Sequence, residues 1–257
     1  MLLHELRLFC IALQFLTRVP VPRAVGYREA WLHQSARHFP AVGLLVGAFV
    51  AAVLWTAAQA LPMTVAAGLA IAAGAWLTGA FHEDGFADTL DALGGAVSRE
   101  RALEIMKDSR LGTYGVLGLV LLIGIKWAAL AALPLALALA ALLLAHTASR
   151  SLTVVLLGAL RYAGDAAHAK AKPMAQQVGA GSVTVALAWS AALVLALWGS
   201  GALGWRPLLA ALLAVVVGGL VCARWFTRRL GGYTGDTLGA AQQVAETAVL
   251  LAVLASM

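Results

Sequence analysis

Charge is scarce in this chain. Only 12% of its 257 residues are Asp, Glu, Lys or Arg, and none lies between Arg37 and Glu83. With 62% hydrophobic residues and a mean hydropathy of +0.88, the composition excludes an ordinary soluble globular domain. The net charge is +6, yet no basic run alternates with aromatic residues, which argues against a nucleic-acid partner. Most basic residues sit in short segments between apolar runs, the pattern by which a membrane protein sets its orientation. Cysteine is almost absent. Cys10 and Cys222 share no CxxC spacing, and each serves as a small hydrophobe in or beside an apolar segment. The N-terminus reads unlike a secretory signal, because Glu5 and Arg7 interrupt its apolar region and no small-residue cleavage site follows. HExxH, EF-hand, GxGxxG and Walker A patterns are also missing, so no zinc-protease, calcium-loop or nucleotide-fold reading is available.

Long apolar runs are what the sequence has instead. A helix needs about 20 apolar residues to cross a bilayer, because lipid offers no partner to an unpaired backbone group. Seven stretches qualify: Ala41 to Ala60, Met63 to Phe81, Tyr114 to Leu133, Leu135 to Leu157, Val183 to Gly199, Pro207 to Phe226, and Ala241 to the C-terminus. Their breaks carry Pro and Gly in "LPM", "LPL", "GSGALGWRP" and "GGYTG". The expected fold is all-α: a polytopic integral membrane bundle of about seven transmembrane helices, preceded by an amphipathic helix with Leu3, Leu6, Leu13 and Leu16 at helical spacing. One membrane domain is expected over 1–257, with an interfacial segment at 1–40, an acidic segment at 81–113 and a Gly-rich loop at 227–240. Gly43 with Gly47, and Gly74 with Thr78, have the spacing of close helix crossings.

Alternate loops are rich and poor in Lys and Arg. Arg7, Arg18, Arg23, Arg28 and Arg37 fall on one side, with Arg99, Arg101, Lys107, Arg110, Arg161, Lys170, Lys172, Arg224, Arg228 and Arg229; the opposite side keeps only Arg206. This alternation predicts a cytoplasmic N-terminus, cytoplasmic long loops and an outside C-terminus. Eleven of the twelve acidic residues fall on the basic side, the twelfth being Glu246 in the last span.

The densest carboxylate block is "FHEDGFADTLDALGG", which holds Glu83, Asp84, Asp88 and Asp91. If it is helical, Asp84, Asp88 and Asp91 share one narrow face. Exposed to lipid, the three would cost roughly 8 to 10 kcal/mol together on the insertion scale, so metal or water must screen them. Mg²⁺ suits this face, since it takes a few carboxylates and fills its octahedron with water and phosphate oxygens. Gly85 would let a bulky ligand approach the backbone. A solvated face at a helix exit is the plainer alternative, but no Lys or Arg occurs from Phe81 to Ser98. His82 is either an interfacial hydrogen-bonder or a catalytic base.

In "RALEIMKDSRLGTYGVLG", Lys107 and Arg110 are donors for an anionic substrate or members of a salt-bridged surface helix. In "GGYTGDTLGAAQQVAE", Gly232, Thr234 and Asp236 belong to a loop that either cradles phosphate at a helix N-terminus or simply turns, with Asp236 as N-cap. Arg18 and Arg37 would complete an anion pocket, although such residues more often snorkel or set topology.

Together with "LQFLTRVPVP", these motifs resemble, in order and over nearly the whole chain, the cobalamin synthases, the adenosylcobinamide-GDP ribazoletransferases. The resemblance implies a Mg²⁺-dependent transferase of late vitamin B12 synthesis in the bacterial cytoplasmic (inner) membrane, its active site facing the cytoplasm. It would join adenosylcobinamide-GDP to α-ribazole or its 5′-phosphate, giving adenosylcobalamin or its 5′-phosphate and releasing GMP. The 5′-hydroxyl of the ribazole is expected to attack the phosphorus bearing the cobinamide, with no covalent enzyme intermediate. The resemblance carries onto this chain only Glu83, Asp84, Asp88 and Asp91, expected as the metal set, and Asp236; joined with the residue readings above, the expected catalytic residues are Asp84, Asp88, Asp236 and His82, and the expected substrate-binding residues are Lys107, Arg110, Arg18, Arg37, Gly232 and Thr234. The lipid bilayer is the other expected partner, and a homo-oligomer is left open. The competing readings are a CDP-alcohol phosphotransferase, whose Arg-bearing signature "DGFADTLD" does not match, and a metal or proton transporter, which would need polar residues near mid-membrane on several helices.

Overall fold

A computed structural model describes residues 2–26, 28–164 and 178–257; Lys170 and Lys172 lie outside the described residues. Eleven α-helices follow in order: α1 (Leu2–Leu16), α2 (Glu29–Ser35), α3 (Phe39–Ala58), α4 (Met63–Thr78), α5 (Phe81–Leu93), α6 (Arg99–Ile105), α7 (Thr113–Ala132), α8 (Leu135–Ala159), α9 (Ala180–Gly199), α10 (Trp205–Leu230) and α11 (Gly235–Ala255), with short 3-10 turns at Arg23–Val25 and Ala36–His38. Pro62 and Pro134 cap the starts of α4 and α8, where a missing N–H costs nothing. Gly231 ends α10 in the left-handed region at φ 79.

Among the described residues six helices are long and apolar enough to cross a membrane, and a seventh span arises only if α4 and α5 count as one. This corrects the single span expected from Met63 to Phe81, since α4 ends at Thr78 and Phe81 begins α5. The run breaks at Gly79 and Ala80, both left-handed with φ 70 and φ 56, and α5 leaves at 90° to α4. For Ala80 that conformation costs about 1 to 2 kcal/mol, so the surrounding packing enforces the corner. α4 has 16 residues and α5 has 13, and α5 is not one of the six spans.

Most of α8 is buried, and α11 is the next most enclosed of the spans, whereas α9 and α10 turn most of their surface outward. Small residues permit this packing. A Cβ on Gly43 would meet the His146 carbonyl at 2.2 Å, and one on Gly47 would meet that of Leu142 at 2.9 Å; the Gly43 and Gly47 pair is therefore the α3–α8 crossing, as its spacing suggests. On Gly74 a Cβ would lie 3.0 Å from Val50, which seats α4 on α3. The amphipathic α1 buries Leu8, Ile11, Ala12 and Leu16 and leaves Leu2, Leu3 and Leu6 exposed.

Interhelical hydrogen bonds collect the charge-rich loops at one end of the bundle. Arg229 donates from Nη1 to the Leu93 carbonyl (2.8 Å) and from Nη2 to that of Gly95 (2.8 Å). Arg99 donates to the carbonyls of Leu230 (2.7 Å) and Ala163 (2.9 Å). The Arg18 amide reaches the Leu77 carbonyl at 2.8 Å. The end of α4, all of α5 and α6, the start of α7, the end of α10 and the start of α11 therefore share one end, and these are the segments that the Lys and Arg pattern groups on one side.

Candidate active site

α5 packs across the start of α11 because both helices carry glycine at the crossing. A Cβ on Gly85 would sit 2.9 Å from the Asp236 carbonyl oxygen and 3.0 Å from Asp236 Cα; one on Gly239 would meet the His82 carbonyl at 3.2 Å. Gly85 thus admits the backbone of the second acidic motif and not a ligand, which corrects the use expected for it. The contact joins two motifs about 150 residues apart and makes Asp84, Asp88 and Asp236 neighbours. Asp84 is exposed, while Asp88 and Asp236 are half-buried. Among the described residues no Lys or Arg pairs with any of the three. Asp88, on the short helix outside the six spans, is pushed up to about 7 by burial first and then by the charges of Asp236, Asp84 and Asp91.

Asp91 shares the face but not the freedom. Its two oxygens accept from the amides of Gly112 (2.7 Å) and Gly115 (2.8 Å), placing a carboxylate on the positive end of α7. Glu83 turns the other way: Oε1 accepts from Gln243 Nε2 at 3.0 Å, and Oε2 is buried without a partner. The four residues of the proposed metal set are thus not gathered at one point, and among the described residues no cluster of three or more His, Cys, Asp or Glu could hold a metal ion. His82 is buried and lines an interior cavity, where its charged neighbours are Arg150, Glu246, His146 and Lys126.

The remaining candidate residues are placed as follows. Arg110 chelates Asp108, with Nε at 3.0 Å from both carboxylate oxygens, and this pair holds the Asp108 carboxyl down at about 2. Lys107 is exposed beside it. Arg18 lies against Gly79 at the α4–α5 corner. Arg37 pairs with Glu5 at 3.2 Å and His38 takes the other Glu5 oxygen at 2.9 Å, tying α1 to the 3-10 turn. Gly232 faces the Arg161 backbone so closely that a Cβ would be 1.9 Å from that carbonyl, and the neighbouring Tyr233 amide donates to the same oxygen at 2.8 Å. Thr234, and not Asp236, is the N-cap of α11, in a reciprocal capping box with Thr237. Gly232 and Thr234 therefore hold the loop in shape, and Asp236 projects from the second position of the helix they start.

Sequence reasoning missed a buried polar network behind this face. Lys126 on α7 ion-pairs with Glu246 on α11 and donates to Gln243 Oε1 at 2.9 Å. His146 Nδ1 lies 3.0 Å from the second Glu246 oxygen, to which Gln242 donates at 2.6 Å. Gln242 also donates to Ser149 at 3.1 Å, and Arg150 donates to the His146 carbonyl at 3.0 Å. Lys126, Glu246 and Arg150 are each at most 5% exposed. Glu83, His82, Lys126, His146, Arg150 and Gln243 line a cavity of about 30 Å³, room for ordered water and not for an organic substrate. Polar residues thus occur deep on several helices, where Lys126 and Glu246 join His146 and Arg150. The signal was present: an ionisable residue inside a span is functional by default, and Lys126 and Glu246 are opposite charges in different spans.

A membrane-spanning helical bundle whose carboxylates converge at one end, backed by a charge-balanced interior, has the layout of an integral membrane enzyme handling a charged substrate. The chain belongs to the cobalamin-5-phosphate synthase family, whose model matches residues 8–254. It is 58% identical over 259 residues to the adenosylcobinamide-GDP ribazoletransferase of Leptothrix cholodnii, covering 100% of this chain and 98% of that one. Identity is 44% to the protein of that name from Albidiferax ferrireducens, over 96% of each chain. It is 43% to that of Shewanella amazonensis, over 98% of this chain and 96% of the relative. No solved structure matches the chain.

Proposed function

We propose that this protein transfers the cobinamide phosphate of adenosylcobinamide-GDP to α-ribazole or its 5′-phosphate and releases GMP, from the cytoplasmic face of the bacterial inner membrane. The observation that supports this best is the Gly85 and Asp236 contact, which sets Asp84 and Asp88 beside Asp236 without a protein cation. Such a face fits Mg²⁺ shared with a diphosphate: hard oxygen donors, one or two carboxylates, and no complete protein cage. Asp84 and Asp88 would hold the ion, with Asp236 next; when bound, it neutralises charge on the diphosphate and the departing GMP.

The chain's own residues position and exchange protons. An acceptor carrying a 5′-phosphate has that oxygen blocked, so the attack common to both acceptors comes from another ribose hydroxyl, which corrects the 5′-hydroxyl expected from the resemblance. Asp236, the neighbouring carboxylate that the ion needs least, is suited to receive it. Lys107 is an exposed cation for the diphosphate at the same end, and Arg110 joins it on releasing Asp108. The test is GMP release from adenosylcobinamide-GDP by purified membranes with and without Mg²⁺, for the wild type and for Asp84→Asn, Asp88→Asn and Asp236→Asn. Release that needs Mg²⁺ and falls about 100-fold or more in each variant is expected; full activity of Asp84→Asn would sink the metal assignment.

A further inference from the structure

We propose that Glu83 is a positioning residue and not a metal ligand. It is the point through which the buried Lys126 and Glu246 network sets the rotation of α5 and so presents Asp84 and Asp88; the inference deepens the reading given under Proposed function and rests on it.

Three observations carry it. The first is connectivity. Gln243 Oε1 accepts from Lys126 (2.9 Å), while Gln243 Nε2 donates to Glu83 (3.0 Å) and to Gln242 Oε1 (2.9 Å). Gln242 and Lys126 both reach Glu246, so a continuous chain links α7 and α11 to the first turn of α5. The second is charge. Two carboxylates, Glu83 and Glu246, share the cavity with two cations, Lys126 and Arg150, so the charge of Glu83 is balanced inside the bundle; Asp84, one residue on, is exposed. The third is lone pairs. One Glu83 oxygen is taken by Gln243, and the other is sealed from solvent, whereas a magnesium ligand needs an oxygen open to the ion and its waters.

Helix geometry supplies the mechanism. Successive residues are about 100° apart around an α-helix, so a bond that holds residue 83 inward turns residues 84 and 88 toward the open side. Without it, the first turn of α5 loses its inward hold and rolls by a fraction of that angle within the remaining restraints at Gly85 and Asp91, which moves carboxylate oxygens by about an ångström. Such misplacement is worth about 100-fold in rate.

The test uses the full chain in detergent, with Mn²⁺ binding followed by electron paramagnetic resonance as a stand-in for Mg²⁺, alongside kcat and KM for GMP release. Glu83→Gln keeps an oxygen acceptor for Gln243, so it is expected to bind Mn²⁺ within about 2-fold of wild type and to retain most of kcat. Asp84→Asn, as the ligand reference, is expected to weaken Mn²⁺ binding about 10-fold or more. Gln243→Leu, which cannot hold Glu83, is expected to lose about 10- to 100-fold in kcat with Mn²⁺ affinity and KM little changed. Mn²⁺ binding by Glu83→Gln as weak as that of Asp84→Asn would overturn the proposal even if Gln243→Leu failed to fold. Absence of GMP release by the wild type would instead sink the proposed reaction, and the Mn²⁺ comparison would still decide the role of Glu83.

Discussion

Replacing Gly85 by alanine puts the proposed site under the smallest perturbation the structure allows. The added Cβ would sit 2.9 Å from the carbonyl oxygen of Asp236, 3.0 Å from its Cα and 3.4 Å from its carbonyl carbon. Comfortable contacts start near 3.5 Å, and all three atoms are backbone, so no side chain can swing away. α5 must therefore withdraw from α11 by roughly half an ångström to one ångström. Overpacking of this kind costs about 1 to 3 kcal/mol, against about 1 kcal/mol gained by removing glycine from a helix. The net loss of stability is small. The loss of activity is larger, because withdrawing α5 from α11 separates the helix of Asp84 and Asp88 from that of Asp236, and misplacement by about 1 Å is worth about 100-fold. Gly124 is the control: in α7, a Cβ there meets nothing within 4 Å, so Gly124→Ala should be as active as wild type and no less stable. GMP release and thermal unfolding in detergent measure the two effects. A Gly85→Ala protein that works at the wild-type rate, or one that loses activity only in proportion to folded protein, would refute the view that this contact assembles the site.

Asp91→Asn should leave the Mg²⁺ concentration for half-maximal activity unchanged and lower stability by about 1 kcal/mol, because an amide has one oxygen where the carboxylate serves both Gly112 and Gly115; a raised Mg²⁺ requirement would return Asp91 to the metal set. Arg229→Ala removes the donors to Leu93 and Gly95 and should open the segment between α5 and α6 to limited proteolysis, with a cleavage pattern unchanged from wild type as the contrary result. Asp88 has a sign that can be worked out: its carboxyl is raised from 3.8 to about 7 in the folded protein, so between those values the folded state holds a proton that the unfolded state has lost. The metal-free protein should lose thermal stability as pH rises through that window, and Asp88→Asn should flatten the slope; an unchanged slope would show that Asp88 is not the group responsible.

The spans were legible because apolar runs and Pro or Gly breaks are local signals. The α4–α5 corner was not, since the apolar run continues from Trp76 through Gly79 and Ala80 to Phe81, and a left-handed alanine is imposed by packing that no sequence window contains. Helical spacing placed Asp84, Asp88 and Asp91 on one face, but spacing is blind to what covers the face, and the amides of Gly112 and Gly115 come from another helix. The Gly-rich loop drew a phosphate reading because turn-forming and phosphate-cradling sequences share the same residues; here the turn reading accounts for Gly232 and Thr234, leaving Asp236 to the site. The Lys126 and Glu246 pair went unread for a similar reason. Their residues lie 120 positions apart, and a lone charge within each apolar run does not reveal its partner.

These separate contacts solve one electrostatic problem. Asp84, Asp88 and Asp236 repel one another, and a helix free to move would relieve that repulsion by drifting from α11. α5 is denied the drift at every turn: Glu83 is held by Gln243, Gly85 is wedged against Asp236, Asp91 is fixed to α7, and the carbonyl ends near Leu93 and Gly95 are gripped by Arg229. None of these restraints places a positive charge among the three carboxylates. Lys126 and Glu246 reach α5 only through Gln243, whose side chain they fix from behind, so the residue that holds Glu83 is itself held. The fold thus keeps its acidic face together by forces applied elsewhere, and leaves neutralisation of that face to whatever cation and substrate arrive there.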